Sequence, residues 1–319
     1  MMRALLALLV APHLALAQPY PSKPVRMIIP FAPGGASDFV GRIMQPKMAE
    51  LLGQPLVVEN RAGASGNIGL EAAAKSPADG YTLFLGNVGT ISVNPAIFPK
   101  LGINPLQDFV AVTQVVDVPS VLVANPDFPP RTLKEFVAYA RANPGKLNYA
   151  SPGSGSLNRL EMELLRLKEK LEMVHVPYKG GAGPAVAGLM GGETHIMFTT
   201  AASAIGQVRG GKLRLLAVTS TQRMEQVPEA PTMVEAGYPG FVTGSWQGIF
   251  VPAGTPREIV DRLFGVTQQT MKDPEVANRL KNGGAYVVLS ESPAGFGRLV
   301  GAETQRWADV AKESGATAD

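Results

Sequence analysis

Three glycine-rich segments are the places where this chain could do chemistry. They are Pro30-Phe31-Ala32-Pro33-Gly34-Gly35-Ala36-Ser37-Asp38, Ser151-Pro152-Gly153-Ser154-Gly155-Ser156, and Pro177-Tyr178-Lys179-Gly180-Gly181-Ala182-Gly183-Pro184. Each lies between a strand-like apolar run and a helix-like pattern. A helix start presents N–H groups without intrahelical partners and about half a positive charge. Glycine lets the backbone approach a ligand with no Cβ in the way. The chemistry these segments suit is anion binding by main-chain donors. A hydrogen bond to a charged group contributes about 1.5–3 kcal/mol. Four such bonds would supply about 6–12 kcal/mol before the costs of association, and micromolar binding needs about 8. A carboxylate could therefore be held without an arginine clamp. Taken singly, each segment also reads as an ordinary turn between strand and helix, because Gly, Pro and Ser are common there. Recurrence in three segments points to a shared cleft, since ligands in open α/β sheets bind beyond the carboxyl ends of the strands.

Other chemistries find little support. There is no cysteine, which excludes disulfides, thiol catalysis and thiolate metal sites. The three histidines are His13, His175 and His195, with no His-x-x-x-His or His-x-Glu spacing to suggest a metal site. His175 and His195 both fall in apolar strand patterns and read as sheet residues rather than bases. Ser154 lacks a Gly-x-Ser-x-Gly frame, because Pro152 holds the leading position. Residues 63–69, Gly-Ala-Ser-Gly-Asn-Ile-Gly, do not match the dinucleotide fingerprint, and no Gly-Lys-Ser or Gly-Lys-Thr occurs. No catalytic residue, metal or cofactor is expected. An exported hydrolase stays open only if a serine pairs with His175 or His195. The formal net charge is +3 and no run of five or six like charges exists, so nucleic acid and membrane surfaces are not expected partners.

The elements that must position these segments follow from periodicity. Strands are predicted at residues 25–30, 56–59, 81–85, 121–124, 147–150, 173–176, 195–198 and 213–219, alternating with helices. Residues 39–52 carry Val40, Ile43, Met44, Met48, Leu51 and Leu52 at helical spacing, with Ser37 or Asp38 available as cap and Gly53 as stop. Residues 65–74 and 157–170 read as further helices. Glu161, Glu163, Lys168 and Glu169 read as a solvated face of the second of these. Thr132, Thr255-Pro256, Asp273-Pro274 and Ser292-Pro293 read as helix starts. Trp246 fits equally well as an aromatic wall of the cleft or as core near a hinge. Alternating strands and helices imply mostly parallel sheets flanked by helices.

The chain has 319 residues and 45% apolar composition, enough for two compact domains. No repeat or low-complexity linker divides it. Two lobes must then be joined by short crossings, expected near residues 111–119 and 241–250. Lobe one would comprise 18–115 and 246–319, and lobe two 116–245. The N-terminus carries Arg3, an apolar stretch over 4–15, and Ala15-Leu16-Ala17 before Gln18, the pattern of a cleaved signal peptide over residues 1–17. The mature protein is then expected in the periplasm.

The same segments carry a family resemblance. Val25-Arg26-Met27-Ile28-Ile29-Pro30-Phe31-Ala32-Pro33-Gly34-Gly35-Ala36-Ser37-Asp38 resembles the opening signature of the Bug receptors, the extracytoplasmic solute receptors of tripartite tricarboxylate transporters. Val58-Glu59-Asn60-Arg61-Ala62-Gly63-Ala64-Ser65-Gly66, Ala78-Asp79-Gly80-Tyr81-Thr82-Leu83, Val176-Pro177-Tyr178-Lys179-Gly180, Gly211-Lys212-Leu213-Arg214 and Gly237-Tyr238-Pro239-Gly240 extend it over essentially the whole mature chain. The resemblance implies a two-lobed α/β fold of the periplasmic-binding-protein type, closing on a carboxylate. It also implies membrane transporter subunits, or a membrane sensor, as partners of a monomeric receptor. By the same resemblance, Phe31, Pro33, Gly34, Gly35 and Ala36 line the lobe-one wall, with Asp38 near the helix start and Thr90 nearby. Backbone N–H groups there would hold one carboxylate through ordered water. Ser154, Ser156, Leu157 and Asn158 match the lobe-two loop, and Tyr178, Gly180 and Gly181 match a third wall. The chain departs from the pattern at Leu157, where a small hydroxyl residue is usual, and at Arg159, which stands in place of a histidine. Arg159 would add a second carboxylate contact or face solvent. Thr199-Thr200 stands where many relatives carry Asp-Asn. Loss of that acidic partner implies a ligand without an amine, such as an aromatic or dicarboxylic acid.

Overall fold

The computed structural model describes residues 20–318, so the leader assigned to residues 1–17 lies outside the described residues. The chain begins with β1 (Val25–Ile29), α1 (Ala36–Leu52), β2 (Leu56–Asn60), α2 (Asn67–Ala74) and β3 (Thr82–Asn87). Two short helices, α3 (Asn94–Ile97) and α4 (Pro105–Asp108), lead into the 16-residue β4 (Phe109–Ala124). A second alternating run follows: α5 (Leu133–Ala142), β5 (Leu147–Ser151), α6 (Leu157–Glu169), β6 (Met173–Pro177), α7 (Ala182–Met190), β7 (Ile196–Thr200), α8 (Ala201–Arg209) and β8 (Arg214–Val218). β9 (Gly244–Pro252) returns the chain, and α9 (Arg257–Lys272), α10 (Pro274–Asn282), β10 (Tyr286–Val287) and α11 (Pro293–Ser314) complete it.

All strands belong to one curled sheet, with order β2-β1-β3-β9-β4-β7-β5-β6, and with β10 and β8 both pairing with β4. β1, β2 and β3 run parallel, as do β5, β6 and β7. β9 and β4 run antiparallel between these two sets. β4 is the element the two lobes share. Its register with β9 runs from Phe109↔Pro252 to Pro119↔Gly244, and from Ser120 onward it pairs with β7 instead. The strand predicted at 121–124 is therefore only the tip of a longer one.

Burial explains why the short strands hold. In β1, Val25, Met27, Ile28 and Ile29 are fully buried, as a parallel strand covered by helices on both faces requires. α1 lays Val40, Ile43, Met44 and Met48 on it. A Cβ at Gly41 would lie 2.7 Å from the Ile29 side chain, so glycine lets this helix sit close to the sheet. Separate apolar clusters lie on the faces of each half of the sheet. In one of them Leu157 and Leu160 of α6 pack with Phe84, Phe296 and Trp307. That contact joins the two lobes.

Three local expectations are corrected. Gly35, not Ser37 or Asp38, is the N-cap of α1, and no side chain caps it. Pro256 rather than Thr255 caps α9, and the Thr255 hydroxyl donates to Pro252 O at 2.7 Å. The solvated face expected on α6 divides: Lys168 is exposed and Glu169 half-buried, as expected, but Glu161 is 0% and Glu163 8% exposed. The first turns of α6 are wedged between the lobe-two sheet and α11, which covers even their polar side. Thr132, Asp273 and Ser292 cap their helices through side-chain oxygens, as predicted.

Candidate ligand-binding site

A cavity of about 540 Å³ lies between the lobes, on the side of the sheet where the strand ends meet helix starts. Four helices of nine residues or more begin at its wall: α1 through Gly35, Ala36 and Ser37, α6 through Ser156, Leu157 and Asn158, α7 through Ala182, and α8 through Thr200. One comes from lobe one and three from lobe two. Each brings first-turn N–H groups with no intrahelical acceptor and the positive end of its dipole. Among the described residues, no charged side chain borders the cavity. Hydroxyls and amides do: Ser37, Ser65, Ser156, Thr200 and Ser245 with Asn87, Asn158 and Gln247. Phe31, Val88, Leu157 and Pro152 supply apolar surface. The field inside is positive without a cation, which suits an anion carrying an apolar or hydroxylated body.

The lobes meet around this cavity through glycines. Ala32 N donates to Gly180 O at 3.0 Å, and Gly155 N donates to Ser65 Oγ at 3.3 Å. A Cβ at Gly183 would stand 2.6 Å from Pro33 O, and one at Gly181 would stand 2.9 Å from the Phe31 ring. A Cβ at Gly155 would overlap the Asn94 amide. The third glycine segment thus closes against lobe one backbone to backbone.

Of the residues singled out from sequence, Phe31, Gly35, Ala36, Ser156, Leu157, Asn158 and Thr200 border the cavity. The others stand behind it. Pro33 and Gly34 face Gly183 across the seam. The Asp38 carboxylate accepts from Gly34 N at 3.2 Å, Arg42 Nε at 2.8 Å and Asn60 Nδ2 at 3.0 Å, bracing the first loop from outside. Thr90 is buried and bonded to Asn87. Ser154 gives its carbonyl to Arg159. Tyr178 turns away, donating to Glu193 at 2.6 Å, with its phenol pushed up to about 12, chiefly by desolvation. Gly180 and Gly181 form the seam rather than the wall, and Thr199 lies within the sheet opposite Val121. Arg159 does neither thing expected of it: it is 7% exposed, and its guanidinium donates to Ser154 O at 3.2 Å and to Thr317 O at 2.5 Å. The C-terminal segment passes within its reach and accepts a hydrogen bond from it. Trp246 is core, stacked edge-on to Phe296 at 5.6 Å.

Sequence reasoning missed Ser65, Asn87, Gly89, Ser245 and Gln247. Ser65 lay in the segment weighed as a dinucleotide fingerprint. Its left-handed backbone (φ 55°) turns that loop toward the seam, a placement the Gly-x-x-Gly spacing around it could have signalled. Ser245 and Gln247 lie at alternate positions on β9, a signal visible only once one knows which face of that strand meets the cavity.

Behind Asn158 sits a buried carboxyl. Asn158 Nδ2 donates to Ser120 Oγ and to Glu161 Oε2, both at 2.9 Å, and the Thr243 hydroxyl donates to the other Glu161 oxygen. Desolvation holds the Glu161 carboxyl above its usual 4.5, opposed by these hydrogen bonds. The network ties α6 to both chain crossings, through Ser120 on β4 and Thr243 just before β9. A serine–histidine pair is also present: Ser151 Oγ lies 2.7 Å from His175 Nε2. Ser151 is fully buried, outside the cavity, and also bonds both backbone groups of Gly153. It shapes the second glycine loop.

The model of the tripartite tricarboxylate transporter family receptor matches residues 40–316. Among solved structures, the periplasmic binding protein BugD is 35% identical, covering 94% of this chain and 100% of its own, with a TM-score of 0.89. MatC from Rhodopseudomonas palustris, solved with bound malate, is 36% identical over 91% of this chain and 99% of its own, with a TM-score of 0.86. Rpa4515 of R. palustris, solved with adipate, is 33% identical over 94% of this chain and 100% of its own, with a TM-score of 0.90.

Proposed function

The chain belongs to the tripartite tricarboxylate transporter family of receptors, and on that premise we propose that its interlobe cavity captures a small organic carboxylate for delivery to membrane transporter subunits. The observation that carries the reading is the convergence of four helix starts from both lobes on a cavity bordered by no charged side chain. Main-chain N–H groups are the anion's donors, the Ser156 and Thr200 hydroxyls orient it, and Asn158 holds the start of α6 in place from behind. Phe31, Gly35, Ala36 and Leu157 close around its body. The malate and adipate held by two relatives of this fold support the same ligand class. The absence of an acidic side chain at the cavity supports a ligand without an amine, as the Thr199-Thr200 pair suggests.

In this reading the receptor works as a monomer in the periplasm, exported by cleavage after residue 17. Lobe one is 18–115 with 246–319, and lobe two is 116–245. The exchange of β4's partners after Pro119 supports that division. The test is a thermal-shift screen of small mono- and dicarboxylates on the mature chain. A true ligand at 100 times its Kd stabilises the fold by about 2.7 kcal/mol. The reading fails if sugars or nucleotides raise the melting temperature and carboxylates do not.

A further inference from the structure

We infer that Gln247 is a specificity residue that selects acids bearing a hydroxyl group, an inference that rests on the carboxylate reading above. Gln247 is fully buried, and neither its Oε1 nor its Nε2 has a hydrogen-bond partner among the described residues. It borders the cavity with Ser245, two positions back on β9, while Trp246 between them packs on Phe296 on the opposite face. Across the sheet it pairs with Asn87, another cavity residue.

A primary amide has donors on nitrogen and an acceptor on oxygen. Burying both unpaired is unfavourable, so the bound ligand must answer both. A carboxylate only accepts. It can meet Nε2, but it would set its negative charge against Oε1. Oε1 needs a donor from the ligand. An ammonium could supply one, but no acidic side chain borders the cavity to balance its charge, and four helix starts make the field there positive. An alcohol can donate to Oε1 and accept from Nε2 through a single oxygen. The ligand class that satisfies both the helix starts and this amide is a hydroxylated carboxylic acid.

The experiment compares acids that differ only in the hydroxyl: malate with succinate, lactate with propionate, and mandelate with phenylacetate. Each is titrated calorimetrically into the mature receptor and into Gln247→Met, which keeps the volume and removes the amide. The wild type should bind the hydroxylated member of at least one pair about tenfold or more tightly. In Gln247→Met that ratio should fall to within about twofold, through weaker binding of the hydroxy acid. Equal affinities within every pair that binds the wild type would overturn this inference and leave the carboxylate reading intact. So would undiminished discrimination by a folded Gln247→Met. Should that variant fail to fold, the wild-type ratios decide alone. Binding by none of the acids overturns the carboxylate reading, and this inference with it.

Discussion

β9 presents two very different concavities on its opposite faces. In front lies the interlobe cavity of about 540 Å³, part of it open to solvent, bordered by Ser245 and Gln247. Behind lies an open groove of about 1450 Å³, bordered by Gly244 and Trp246, with Asp117, Arg223, Glu225, Glu303 and Arg306 around it. Period-two alternation along β9 sends successive side chains to opposite sites. Size favours the rear groove and chemistry favours the front. Both rear arginines are already paired: Arg306 lies 3.3 Å from Glu303, and Arg223 lies 3.0 Å from Glu235 beside the groove. In that open setting such pairs contribute about 0–1 kcal/mol. Among the described residues no charged side chain borders the front, and its helix dipoles converge there from both lobes. A binding site is marked here by donors left unanswered between the lobes, not by the number of charges.

The comparison is broken most forcefully at the seam. Gly183→Val places side-chain atoms against Pro33 O, so the lobes should no longer close. Overpacking of about 1–3 kcal/mol corresponds to an affinity loss of about 5- to 150-fold for any carboxylate found to bind. Ligand-free melting should change little, since the cost falls on closure. Unchanged affinity would mean that the cavity works without lobe contact.

A smaller effect is expected at Asn158→Leu. It removes a cavity amide and leaves Glu161 short of a donor. Calorimetry should show about tenfold weaker binding, and denaturant unfolding should show a loss of about 1–3 kcal/mol. A stability loss without an affinity loss would confine Asn158 to the buried network.

Glu161→Gln tests the buried carboxyl through pH. Because burial raises the folded value, the protonated form is the stable one. Its contribution is fully present below about 4.5 and declines as pH rises through the raised folded value. Ligand-free wild type should therefore lose stability relative to Glu161→Gln as pH climbs from about 4.5, with the two alike in more acidic buffer. Parallel melting curves from pH 4 to 8 would show that Glu161 does not titrate there. The smallest effect is expected behind the sheet, where Arg306→Ala should alter carboxylate affinity by less than about twofold. A larger loss would make the rear groove a contributor to binding.

Much of what depends on near neighbours was legible, although the caps expected at Ser37 or Asp38 and at Thr255 were not. The alternation of strands and helices, the glycine stop at Gly53 (φ 70°), and the caps at Thr132, Asp273 and Ser292 depend on neighbours a few residues apart. The three glycine segments and the anion chemistry of helix starts were legible for the same reason. Which of those residues face a ligand was not, because that depends on where the other lobe's backbone lies. A Cβ at Gly181 or Gly183 would crowd Phe31 or Pro33, 150 residues away in sequence. Glu161 looked like a solvated charge because its burial is imposed by the sheet on one side and α11 on the other. Gln247 fell in a stretch, 241–250, read from sequence only as a crossing between the lobes. Only the curl of the sheet, which turns one face of β9 into the floor of the cavity, made its unanswered amide a matter of function.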